Sequence, residues 1–277
     1  MFSPKEVAVR YVAAGQKKLG TAWYQLLILG IMAGAFIALA AAGAGTASSM
    51  AENPGMAKLT AALLFPGGLA MVILAGSELF TGDCLIIITV LEGKARLTAV
   101  LKCWFFVYTG NLIGSAVVAW LVNRSGQFSL FDGGLAMATI RTAVWKTSLP
   151  FEHAFILGIL CNFLVCIAVW IGMAGKSLSD KILGIYFPIL LFVVSGFEHS
   201  VANMYYIPAG IFASRNPVYA AMAAEQGIVV SGLDWGSFAL NNLVPVTLGN
   251  IVGGSMLVGS VYWMLYLKNG KQWTKGE

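Results

Sequence analysis

Two short stretches hold the residues with chemistry to offer. One reads GSELFTGDC, Gly76 to Cys84, and the other SGFEHSVAN, Ser195 to Asn203. Together they carry Glu78, Thr81, Asp83, Glu198, His199 and Asn203. His199 has an unperturbed pKa of about 6.5, so it can exchange a proton near neutral pH. Thr81 brings a hydroxyl that both donates and accepts hydrogen bonds. Glu78 and Glu198 can satisfy backbone N–H groups left free where a helix is interrupted, and Asp83 can cap the helix that follows. This inventory suits holding and protonating a small ligand. An enzyme needs a nucleophile with a base, or a metal cluster, and the two histidines, His153 and His199, supply neither. No cofactor and no metal are expected. Cys84, Cys103, Cys161 and Cys166 lack metal or disulfide spacing and read as small buried apolar residues.

The setting makes these groups costly. Of 277 residues, 58% are hydrophobic and 10% charged, against about 25% charged in soluble domains. Mean hydropathy is +0.81. The class is an all-α integral membrane protein, read as one domain over residues 1–277. The start is basic and amphipathic, with a helix expected over about residues 3–19, and it does not read as a cleavable signal peptide. The net charge of +5 is not a nucleic-acid footprint, because in a membrane protein the placement of Lys and Arg is what informs.

Six apolar stretches have the ~20 residues a spanning helix needs. They run about Ala22 to Ala47, Leu59 to Leu91, Ala99 to Val122, Ala154 to Ala174, Ile182 to Phe212, and Phe238 to Leu267. The second and fifth are the ones interrupted by glycine and polar residues. They occupy matching places in two three-helix halves. Three spans per half make the second half enter from the opposite side, so the pattern predicts a 3+3 inverted repeat with broken second and fifth helices. Broken backbone at membrane depth is tolerated only when buried in protein or lining a cavity. Half-helix ends also point N–H groups at the gap, which favours an anion. The segments at 123–153 and 213–237 are expected to be hairpins or lids outside the bilayer.

Basic residues divide unequally. Lys5, Arg10, Lys17, Lys18, Lys94, Arg96, Lys102, Lys176, Lys181, Lys268, Lys271 and Lys275 share one side, and Lys58, Arg124, Arg141, Lys146 and Arg215 the other. The positive-inside rule then puts both termini in the cytoplasm, with the protein in the inner membrane. Trp23, Trp104, Trp120, Trp170 and Trp263 fall near predicted span ends, as an aromatic belt does.

GSELFTGD, GILCNFLVCIAVW, SGFEHSVANMYYIP and NNLVPVTLGNIVGGS, in this order through the spans, resemble the motifs of the formate/nitrite transporter family. The resemblance implies an aquaporin-like six-helix fold, a homopentamer with one pore per protomer, and transport of formate, nitrite or hydrosulfide, with acetate and lactate weaker candidates. Carried onto this chain, it has Thr81 facing His199. Leu79 and Leu69 form one apolar constriction, and Phe65 and Phe192 the other. Asn162 supports the central site, Lys146 overlooks the outer vestibule, and Glu198 and Asn203 hold the broken backbone. The chain reads Gly82-Asp83 after the threonine, where some relatives have Ser or Asn.

A water or glycerol channel shares the inverted-repeat logic but carries paired Asn-Pro-Ala motifs, absent here. Nothing supplies an Arg fork for phosphate or a carboxylate ring for cations. The expectation is passive or proton-coupled anion transport, most readily of formate, with nitrite or hydrosulfide at the same site as the alternative.

Overall fold

The computed structural model describes residues 1–268 and is all-helical. Lys271 and Lys275 lie outside the described residues. The helices are α1 (Pro4–Leu19), α2 (Trp23–Ser48), α3 (Pro54–Ala75), α4 (Phe80–Leu91), α5 (Leu97–Arg124), α6 (Gly134–Thr147), α7 (Phe151–Ala174), α8 (Leu178–Val194), α9 (Ser200–Ser214), α10 (Pro217–Glu225) and α11 (Trp235–Lys268). Five of them, α2, α3, α5, α7 and α11, are long and apolar enough to cross a membrane. The 26 residues of α2 reach about 39 Å at 1.5 Å per residue, more than a bilayer core. Large apolar side chains such as Ile28, Leu39, Phe105, Phe187 and Leu240 are exposed on the outside of the bundle, which suits lipid or protein neighbours rather than water.

Local sequence explains the ends. Ser3 caps α1 in a reciprocal pairing with Glu6, with Pro4 in the first turn. Asn53 caps α3 in front of Pro54, and Ser177 caps α8 with Asp180. Helices α3 and α8 both stop on a glycine in the left-handed region, Gly76 at φ +79° and Gly196 at φ +71°, a conformation that costs other residues. The backbone then extends through Leu79 (φ −115°, ψ 121°) and His199 (φ −109°, ψ 113°) before α4 and α9 begin. The apolar run at 59–91 thus falls on α3 and α4, and the run at 182–212 on α8 and α9.

Helix α2 packs along α5, and α7 along α8 and α11. The contacts are close because glycines face each other. A Cβ on Gly30 would stand 2.8 Å from the Val107 carbonyl, and one on Gly158 would stand 2.7 Å from that of Val246. Small residues let helix backbones approach in this way. Helix α6 is no outlying lid. Its Leu135, Met137, Ile140 and Ala143 are buried, and it packs against α9.

Candidate functional site

The two breaks meet inside the bundle. Thr81 Oγ1 and His199 Nε2 are 3.0 Å apart, joining residues 118 apart in sequence. Both are buried. His199 Nδ1 accepts the N–H of Ala202 at 3.0 Å, so the ring caps its own helix. That bond settles the tautomer. Nδ1 offers a lone pair, so the single proton of the neutral ring sits on Nε2, which donates to Thr81 Oγ1. The Thr81 hydroxyl proton stays available for a ligand. A doubly protonated ring has no lone pair for the cap and must give it up.

The breaks are built to one plan. Asn111 of α5 accepts from the N–H of Phe80 (3.0 Å) and donates to the carbonyls of Glu78 (3.0 Å) and Gly30 (2.8 Å). Asn250 of α11 accepts from the N–H of Ser200 (2.9 Å) and donates to the carbonyls of Glu198 (3.0 Å) and Gly158 (2.8 Å). Glu78 N–H reaches Leu29 O, and Glu198 N–H reaches Leu157 O, each at 3.3 Å. In this correspondence His199 matches Leu79, not Thr81.

These bonds revise the expected supports. The side chains of Glu78, Glu198 and Asp83 do not hold the break backbone, because the two asparagines already do. The Glu198 carboxylate instead pairs with Lys146 Nζ at 2.6 Å and accepts from Asn203 at 2.7 Å and Asn242 at 3.2 Å. Asn203 also donates to Asn242 Oδ1 at 2.7 Å. Glu78 pairs with Lys18 of α1, and Lys18 also meets Asp83 Oδ1 at 2.6 Å. Asp83 makes no capping bond; its carboxylate is drawn to Lys18. The half-helix N–H groups expected to face an anion are partly occupied, by Asn111, Asn250 and the His199 ring. Asn162 makes no hydrogen bond to Thr81 or His199 among the described residues. It donates to Asn250 O at 2.6 Å and accepts from Cys166 Sγ at 3.7 Å, and Cys166 in turn reaches Thr81 O at 3.4 Å.

A cavity lies on each side of the pair. One, of about 670 Å³, is lined by Lys58, Phe65, Arg141, Lys146, Phe192, Glu198, His199 and Asn203 among others. Phe192 stacks on the His199 ring with centroids 5.8 Å apart, and Phe65 meets Phe192 edge-on at 5.7 Å. The second cavity, of about 650 Å³, is lined by α1 residues and by Val72, Gly76, Ser77 and Glu78. Leu69, Leu79 and Thr81 line neither and are buried between. Lys146 does border the first cavity, but its charge is matched by Glu198. Lys58 borders the same cavity with no carboxylate in ion-pair range among the described residues. Sequence reasoning placed Lys58 only as one basic residue of its side. It also missed Asn111, Asn242 and Asn250, although a polar residue inside an apolar helix was the available signal.

A helical membrane body with two opposed cavities and a buried hydrogen-bonded pair between them is the architecture of a transport protein. Comparison with known proteins narrows the class. The family model described as formate/nitrite transporter matches residues 5–264. A formate channel of Escherichia coli (strain K12), FocA, is 39% identical over 246 residues, 87% of this chain and 86% of that one. Among solved structures, a pentameric formate channel with formate bound superposes with a TM-score of 0.79 at 36% identity, over 88% of this chain and 98% of the other. A channel described as an FNT family ion channel superposes with a TM-score of 0.82 at 28% identity, over 94% and 98%. The chain belongs to the formate/nitrite transporter family.

Proposed function

We propose that this protein conducts formate across the plasma membrane as a homopentamer with one pore in each protomer. Each protomer crosses the membrane six times as two inverted halves, α2 to α5 and α7 to α11, with both termini cytoplasmic. The matched asparagine brackets and left-handed glycines at the two breaks support the repeat, and the basic residues on α1 and the α7–α8 turn support the orientation. Formate and the pentamer come from the relatives, whose descriptions name both.

The observation that carries the mechanism is the Thr81–His199 contact between the two breaks. Formate is drawn into the outer cavity by Lys58 and Arg141. It then meets the constriction of Phe65 and Phe192, where a bare charge is poorly tolerated. Beyond it, the hydroxyl proton of Thr81, whose oxygen accepts from His199 Nε2, is the donor offered to the carboxylate. Because Nδ1 is committed to the Ala202 N–H, the ring acts as a neutral donor. Formate takes its proton from a hydronium that enters the outer cavity with it, leaving water, and passes the second apolar constriction, Leu69 and Leu79, as formic acid, while the neutral ring keeps its Nε2 proton. Nitrite and hydrosulfide, also small anions of weak acids, are the alternative cargo of the same site.

Flux into proteoliposomes tests this. Formate, nitrite and hydrosulfide are compared at two pH values, with His199→Ala alongside. Saturable uptake that prefers formate, rises toward low pH and is lost in the variant is the expected result. A preference for nitrite or hydrosulfide replaces the substrate and keeps the site. Passage of water or glycerol without anion flux overturns the reading.

A further inference from the structure

The mechanism above makes no use of the charges gathered beneath Thr81 on the α1 side. The short turn Thr81-Gly82-Asp83 is held there by three neighbours. Cys166 donates to Thr81 O (3.4 Å), Tyr11 to Gly82 O (3.1 Å) and Trp104 to Asp83 O (3.0 Å). Lys18, from α1, sits between Glu78 and Asp83 and pairs with both. The side chain of Asp83 is 1% exposed, those of Glu78 and Lys18 14% and 29%. The three therefore form a graded path from the inner cavity, which Glu78 and Lys18 line, to a group sealed behind them.

Two carboxylates and one ammonium leave this partly buried cluster one negative charge in excess. Like charges in low dielectric disfavour double ionisation. One atom also lacks a partner: Asp83 Oδ2 is buried with no hydrogen bond in the described structure. A buried carboxylate oxygen without a donor is costly, and a proton removes that cost. The other titratable groups around Asp83 are Tyr11 on α1, Cys84 on α4, Cys103 on α5 and Cys166 on α7. None of them brings a second cation to the site.

We propose that Lys18, Glu78 and Asp83 form a proton-binding site at the inner end of the pore, with Asp83 Oδ2 as the atom that takes the proton. In the binding step a hydronium in the inner cavity gives up its proton by way of Glu78. An O–H bond forms at Asp83 Oδ2, water is left behind, and the cluster goes from net −1 to neutral. The site stands two residues from Thr81 in sequence. It is thus where a proton accompanying formate is exchanged with the inner solution, by a carboxylate rather than by the histidine. This last role rests on the proton-coupled reading above, whereas the proton site itself does not.

Infrared titration of the reconstituted full-length protein reads the site without transport. Wild type is expected to show a protonated-carboxyl stretch that disappears as pH rises, and Asp83→Asn is expected to lack it. Lys18→Met, which removes the opposing cation, is expected to retain the band to higher pH by about one unit or more. Formate flux, measured in the same vesicles, is expected to lose its pH dependence in Asp83→Asn while His199 is intact. A band unchanged in Asp83→Asn overturns the proposal, as does an unshifted band in Lys18→Met, which serves if the first variant does not fold. A titrating Asp83 band in a wild type that carries no formate keeps the proton site and sinks the transport reading. A lost band with flux still equally pH-dependent removes the coupling role.

Discussion

Asn111 and Asn250 hold the two helix breaks with the same three hydrogen bonds, one accepted from the first N–H of the half-helix and two donated to carbonyls. Each follows a glycine that lets its helix approach the neighbour, Gly110 and Gly249. An amide has both a donor and an acceptor on one rigid plane, so one side chain can close both ends of an interrupted ladder.

Replacing either asparagine by alanine orphans two backbone groups at once, the first N–H of the half-helix and the carbonyl at the break. At about 1–3 kcal/mol for each unsatisfied buried group, Asn250→Ala is expected to destabilise the protein by about 2 kcal/mol or more. Thermal or denaturant unfolding in detergent checks this. A variant as stable as the parent would show that the bracket is dispensable.

The hydroxyl of Thr81 is expected to matter more than its methyl group. Thr81→Ser should keep formate flux within a few-fold. Thr81→Val, which is nearly the same shape, loses a hydrogen bond of about 1.5 kcal/mol and so about tenfold in rate. Equal flux in the two variants, measured at the same protein density in vesicles, counts against a ligand contact at Oγ1.

The aromatic pair sets the size limit. Phe65 and Phe192 touch edge-to-face at 5.7 Å between centroids. Phe192→Ala is expected to raise the acetate-to-formate flux ratio, because it opens the constriction and bares the His199 ring. An unchanged ratio places the selecting constriction elsewhere.

Lys146 and Glu198 form a buried ion pair whose loss is asymmetric. Lys146→Met alone leaves a buried carboxylate unpaired, and is expected to cost about 3–5 kcal/mol. Adding Glu198→Gln should recover part of that cost. A double-mutant cycle on unfolding free energy measures the coupling, and additive single effects would argue that the pair does not interact.

Lys58 is expected to act on arrival rather than on passage. Lys58→Met should lower formate flux at low ionic strength and leave it nearly unchanged at high salt, since steering by an accessible charge is screened. A salt-independent loss points instead to a structural role.

Much of the architecture was legible in the sequence, because it depends on local features. Apolar runs of spanning length mark the helices. Gly76 and Gly196 mark the breaks, since only glycine enters the left-handed conformation freely. The starts of α3 and α8 lie earlier than the apolar runs indicated, at Pro54 and Leu178, because Asn53 and Ser177 cap polar first turns that hydropathy does not register. Thr81 and His199 stood out because polar groups at membrane depth are rarely idle. The tertiary structure alone decided how these groups are wired. Lys18 meets Asp83 across 65 residues and Lys146 meets Glu198 across 52, and nothing in the local sequence selects one carboxylate over another. Asp83 reads as a cap and is a salt-bridge partner, because a charge in low dielectric goes to the cation within reach. Asn111 and Asn250 are single polar residues in apolar helices, and their meaning appears only when glycine packing brings the breaks beside them. The tautomer of His199 likewise follows from one backbone N–H that the fold presents to its ring. Composition and spacing determine which groups a membrane must enclose. Packing determines which partner satisfies each of them, and that assignment is the mechanism.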